Sequence, residues 1–200
     1  MSNSKAEILA AIHRNRPAPV ELPPLTGEWT TYPDRRQQFI EVLEAVGGQA
    51  IIGNTVAEID QQLRRLSIYS QAQTIASLVP GIGESNVDFS TIDSPHELDN
   101  VDVAILPGEF AVAENAAVWV TDRQVPLRVL FFLCQHLVLV VPAAAILDHM
   151  HAAYERIGSP FINPMFGAFI SGPSKTADIE QSLVIGAHGP RSLTICLLDK

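Results

Sequence analysis

Cysteine is scarce. Only Cys134 and Cys196 occur in 200 residues, and each stands inside an apolar run. There is no Cys-x-x-Cys and no His-x-x-x-His. That pattern argues against a zinc or iron–sulfur site held by this chain alone and fits two buried structural thiols. Basic residues are also few. Thirteen Lys and Arg against 22 Asp and Glu leave a net charge of −9, so the basic stripe that non-specific nucleic-acid binding needs is missing. Long hydrophobic runs are absent too. The longest, Leu137 to Leu147, is interrupted by Pro142 and is too short to span a bilayer. The first sixteen residues are polar and amphipathic, without the apolar centre of a signal peptide, and the expected location is the cytoplasm. No internal repeat or low-complexity tract stands out.

What is present is a globular composition. Hydrophobic residues make up 47% of the chain, enough to build a real core at this length. Ile8, Leu9 and Ile12 follow helical spacing over Ser4 to His13, and Ser4 with Glu7 forms a capping-box pattern. "RNRPAPVELPPLTGEW" follows as an extended connector. Residues 1–31 therefore read as a helix plus a Pro-rich tether that docks on the domain or on a partner, and residues 32–200 as the main domain.

Within the main domain, helices are expected over Asp34–Val46, Val56–Leu66, Ala143–Ile157 and Thr176–Leu183. Strands are expected over Gln49–Ile52, Thr74–Leu78, Val101–Leu106, Ala116–Val120, Leu137–Val141, Phe166–Ile170 and Ser192–Leu197. The strands are apolar on both faces and alternate with helices. This predicts an α/β layered fold with a largely parallel sheet, whose ligands bind at loops beyond the carboxyl ends of strands.

Three stretches carry chemistry. "SGPSKT" is expected to lie between a strand and a helix. Gly172 permits a tight turn, a helix start offers free N–H groups, Ser171, Ser174 and Thr176 add hydroxyls, and Lys175 adds charge. The stretch lacks the glycines of a nucleotide-binding P-loop, with Phe169 and Ser174 in their places. An anion site and plain helix capping, with Asp178 and Glu180 complementing the dipole, both fit. The second stretch, Gly186 to Arg191, carries His188, a candidate acid/base or a backbone-bonded loop residue, and Arg191, suited to a carboxylate.

The third stretch is "LPGEFAVAENAAVWV". Here Glu114, beside Asn115, is either a turn-bonding carboxylate or one kept for acid/base work. Glu109 stands in the same stretch. On the expected helix after Pro142, Asp148, His149, His151 and Glu155 read as a solvated face rather than metal ligands. "PGIGES" is a weak glycine signal for a cleft-lining loop.

"GEFAVAENAAVWV", "QHLVLVVP" and "ISGPSKTADIEQSLVIGAHGPRSLTICLLD" together resemble the lactate-utilisation protein C family, proteins built on the LUD domain. The resemblance runs from about Asp34 to Asp199. It implies a Rossmann-like three-layer α/β/α sandwich with a mostly parallel sheet, similar to the ribose-phosphate isomerase and CoA-transferase superfamily. It also implies a place in a system that oxidises L-lactate to pyruvate, in which partner proteins carry the iron–sulfur clusters. Many members have Thr-Gly or Asn-Gly after the glutamate; this chain has Asn115-Ala116, and alanine is less at ease at positive φ.

The expectation is therefore a non-redox component that binds a small anionic metabolite or its partner proteins. Glu114 and His188 are its acid/base candidates, with Asn115, Ser171, Gly172, Ser174, Lys175, Thr176 and Arg191 as ligand contacts. No metal is expected, and homo-oligomerisation is open. An independent isomerase or transferase acting on a phosphate- or CoA-bearing metabolite, and an interaction module without ligand, are the alternatives.

Overall fold

A computed structural model describes residues 4–21, 24–158, 166–177 and 182–199. Helix α1 (Ser4–Arg14) buries none of its side chains, and Ile8, Leu9 and Ile12 face outward. Helix α2 (Arg35–Ala45) starts where Asp34 accepts the Gln37 N–H, the capping contact its position predicts. It leads to β1 (Gln49–Gly53), α3 (Val56–Arg64), α4 (Ser67–Ser70) and β2 (Ile75–Ser77). Then come β3 (Val103–Pro107), β4 (Phe110–Val112), β5 (Ala117–Thr121), α5 (Leu130–Leu133), β6 (His136–Pro142), β7 (Ile146–Leu147) and α6 (Met150–Ile157). The chain closes with β8 (Gly167–Ile170), β9 (Lys175–Thr176), β10 (Val184–Ile185) and β11 (Ser192–Leu198).

Five strands form an all-parallel central sheet in the order β1-β11-β6-β3-β2. Alternation along each strand sends side chains to both faces. Leu137, Leu139 and Val141 of β6 join Ala104, Leu106, Leu193, Ile195, Phe39 and Leu43 on one face. Val138 and Val140 join Val103, Ile105, Cys196, Ile59 and Leu63 on the other. Runs apolar at every position are what a sheet covered on both sides requires. The fold is α/β, with a parallel central sheet and flanking helices.

One flank is composite. Beside α2, a second sheet in the order β7-β4-β5-β8 lays Ala111, Val118, Val120 and Ile146 onto the central sheet. Its outer face, with Phe110, Val112, Trp119 and Phe169, is covered by Ala153, Met150 and Ile157 of α6. The chain passes between the sheets at two residues. Gly108 N–H donates to Val140 O of β6 at 2.8 Å, and Glu109 N–H donates to Trp119 O of β5 at 2.9 Å.

Two helix expectations are corrected. After Pro142 the backbone makes a 3-10 turn (Ala143–Ala145) and then β7, and α6 begins only at Met150. Ala111 and Val112 pair with Ile146 and Leu147, and these sheet bonds outcompete a longer helix. Asp148 consequently precedes α6, and His149 caps it. No helix starts at Thr176, because Thr176 and Lys175 pair antiparallel with Val184 and Ile185. Ser182 and Leu183 are not helical either, and the middle of that expected helix, 178–181, lies outside the described residues. Strand β4 was not expected: at three residues and fully buried, it has no legible period. Among the described residues no helix is long and apolar enough to cross a membrane.

Candidate functional site

The loop after β8 and the loop before β11 form one structure. Ser174 N–H donates to Pro190 O at 2.9 Å, and Ser174 O accepts from Gly186 N–H at 3.0 Å. A Cβ on Gly189 would lie 3.0 Å from the Ser174 Cβ, so glycine there lets the two loops touch. Between them lies a hollow of about 270 Å³. Ser171, Gly172, Ser174 and His188 line it, over a base of Phe131, Phe132, Leu137 and Ile170. Four of the nine expected site residues thus meet, three from the loop after β8 and one from the loop before β11.

The other five do not line this hollow. The Lys175 ammonium donates to Val46 O at 2.6 Å, at the carbonyl end of α2. Lysine at a helix C-terminus satisfies an orphan carbonyl and meets the negative end of the dipole. Thr176 sits in β9, so the free N–H groups of a helix start are not available there. Gly172 has φ +71°, and a Cβ on it would come within 2.9 Å of Val46 O. The glycine therefore serves the docking of this loop on α2.

Glu114 is exposed, and its Oε2 accepts the Met150 N–H at 2.8 Å, at the first turn of α6. The buried acid/base setting considered for it is not found. Asn115 builds the hairpin turn between β4 and β5: its Oδ1 accepts from Ala117 N–H and its carbonyl from the Ser171 hydroxyl at 2.7 Å. Ala116 completes that turn at φ +53°, keeping the positive φ although it lacks glycine's freedom.

Arg191 lies at the amino edge of the central sheet. There a polar hollow of about 680 Å³ is lined by Arg191, Asp102, Gln135, His136 and Asp99, among others. His136 Nδ1 is 2.8 Å from Ser192 Oγ. Burial, and next the nearby Arg191, pull the His136 imidazole below its ordinary value, while Asp102 acts in the opposite sense. Sequence reasoning passed over His136 because it opens an apolar run and looks like a strand residue.

At the opposite, carboxyl edge of the sheet is a third hollow of about 360 Å³. Glu109 contributes its carboxylate there, accepting from the buried Thr121 hydroxyl at 2.5 Å. The signal for it was legible: an acid directly after Pro107-Gly108 at the end of a buried strand.

On α6, His151 stacks on Trp29 of the connector, with ring centroids 3.6 Å apart and planes 13° from parallel. The "PGIGES" loop wraps onto α3 instead of a cleft floor: Gly83 N–H donates to Asp60 Oδ1 at 2.7 Å.

The LUD domain model matches residues 73–198. Lactate utilization protein C of Geobacillus kaustophilus (strain HTA426) is 32% identical over 115 residues, 56% of this chain and 45% of that protein. Lactate utilization protein C of Anoxybacillus flavithermus (strain DSM 21510 / WK1) is 25% identical over 171 residues, 84% of this chain and 72% of that one. This chain thus spans about half the length of the first of these relatives. A crystal structure of a DUF162 family protein from Deinococcus radiodurans superposes with a TM-score of 0.58 at 16% identity, over 82% of this chain and 96% of that one. At that identity the likeness concerns the fold.

Proposed function

This chain belongs to the LUD-domain family, and from that premise we propose that it is a component of an L-lactate utilisation system. In this reading it carries no redox cluster of its own and works in the cytoplasm beside partner proteins that hold the iron–sulfur centres. The observation that carries the reading is the similarity to lactate utilization protein C, which extends in one relative over 84% of this chain. A small organic acid is the proposed ligand of the hollow between Ser174 and His188, where a hydroxyl and an imidazole stand over an apolar base. The isomerase or transferase alternative has less in its favour, because Glu114 and Lys175 are engaged with backbone groups of α6 and α2.

The test is reconstitution. The chain is purified together with the products of its neighbouring genes, and lactate-dependent dye reduction is measured with and without it. Dye reduction that needs this chain supports the role, and identical rates in its absence remove it. Within an active mixture, His188→Ala and Ser174→Ala are expected to raise the lactate concentration needed for half-maximal rate.

A further inference from the structure

The carboxyl edge of a parallel sheet opens a crevice where neighbouring strands send their connections to opposite faces. Here that happens between β2 and β3. After β2, Val79 and Ile82 pack with α3 on one face. After β3, Ala111 and Ala113 pack on the other. The hollow of about 360 Å³ lies in this gap, with Val79 and Pro107 on its two sides and Val140, Pro142 and Leu198 from the adjoining strands. Its volume suits a small metabolite.

Three polar side chains face the hollow: Glu109, Thr121 and Gln124. The Thr121 hydroxyl is spent on Glu109 Oε1, which fixes the carboxylate and leaves Oε2 as acceptor. Pro107 and Pro142 bring no N–H, and the Gly108 and Glu109 N–H groups are committed to Val140 O and Trp119 O. The wall beside Glu109 thus offers mainly acceptors, the Gln124 carboxamide on the rim adds donors, and Oε2 itself needs a donor from the ligand. The Arg123 guanidinium stands 4.0 Å from the same carboxylate, which offsets its charge and disfavours an ammonium in favour of an O–H. The floor is fixed as well: a Cβ on Gly108 would lie 2.6 Å from Val118 and 2.8 Å from Val141.

We propose that this crevice is a binding site for a small hydroxylated metabolite, with Glu109 Oε2 accepting its hydroxyl and Val79, Val140 and Leu198 covering its carbon skeleton. The site is separate from the hollow between Ser174 and His188 and does not depend on the lactate reading.

Saturation-transfer NMR and calorimetry on the full chain test it, with 1,2-propanediol, glycerol and D-ribose as probes and 1,2-dimethoxyethane as the control without a hydroxyl. At least one hydroxylated probe is expected to bind while the control does not. Glu109→Ala is expected to weaken that binding about tenfold, the loss of one charge-assisted hydrogen bond. Gln124→Trp, at an exposed position on the rim, is expected to abolish it while melting temperature stays unchanged. Silence from all three probes at millimolar concentration, or equal binding in wild type and both variants, overturns the proposal. Failure of lactate-dependent dye reduction with this binding intact would count against the lactate role alone.

Discussion

The ammonium of Lys175 lies 2.6 Å from the carbonyl oxygen of Val46, 129 residues away in sequence. This contact fastens the Ser171–Thr176 loop to the end of α2, and Gly172 makes room for it by bringing backbone against Val46 O. A lysine and a glycine that resemble anion-binding residues in sequence are thus occupied in joining two elements.

Replacing Lys175 by Met removes the cap and keeps the aliphatic stem. A loss of about 0.5–1 kcal/mol is expected from one exposed helix-terminus contact. Lys175→Arg should recover most of it. Urea denaturation measures both; a variant as stable as wild type would remove the capping role.

Gly172→Ala meets two penalties, a positive φ and a Cβ 2.9 Å from Val46 O. The expected cost is about 1–3 kcal/mol, measured by the same denaturation. Ala116→Val should cost at least about 2 kcal/mol, because a β-branched side chain is placed at φ +53° at a fully buried position.

Asp148 accepts the Tyr32 N–H at 3.0 Å and pairs with Arg35 at 2.7 Å. Burial pushes its carboxyl up, but the bonds from Arg35 and Tyr32, with the charges of Arg35 and His149, together outweigh that and hold it below the usual range. A depressed folded value means the contribution is complete above the unfolded value near 4 and is lost as pH falls through the folded one. The stability gap between wild type and Asp148→Asn should therefore be flat above about pH 5 and shrink below about pH 4. Denaturation curves across pH 2.5–7 are the check, and a gap that widens on acidification contradicts it.

His136 makes the corresponding case for a base. Its lowered value means the neutral form is favoured in the fold, so its contribution is complete above the unfolded value near 6.5 and declines as pH falls below it. Its imidazole resonances should titrate with a midpoint below that of a free histidine. Arg191→Gln removes a neighbouring cation and should move the midpoint upward.

Burial pushes both Cys134 and Cys196 up to about 12, so neither is a thiolate near neutrality. An aromatic disulfide reagent should label neither in the folded chain and both in denaturant, with labelling that follows unfolding. Rapid labelling of the native chain would place a thiol at the surface.

The sequence by itself determined the α/β architecture. The runs Val103–Pro107, His136–Pro142 and Ser192–Leu198 are apolar at nearly every position because both faces of the central sheet are covered, and Asp34 and Thr55 mark helix starts by local capping. It also brought Ser171, Gly172, Ser174 and His188 into one candidate list, through glycine-bearing loops next to strands. Only the tertiary structure decided how those residues are spent. Lys175 turned to Val46 and Glu114 to Met150 because an orphan helix carbonyl and an orphan helix N–H lay within reach, and neither is visible from local sequence. The same holds for the crevice at Glu109. Its walls come from the loop after β2 and from β3, β5, β6 and β11, and strand order, a long-range property, brings Val79 and Leu198 to one hollow with the Glu109 carboxylate.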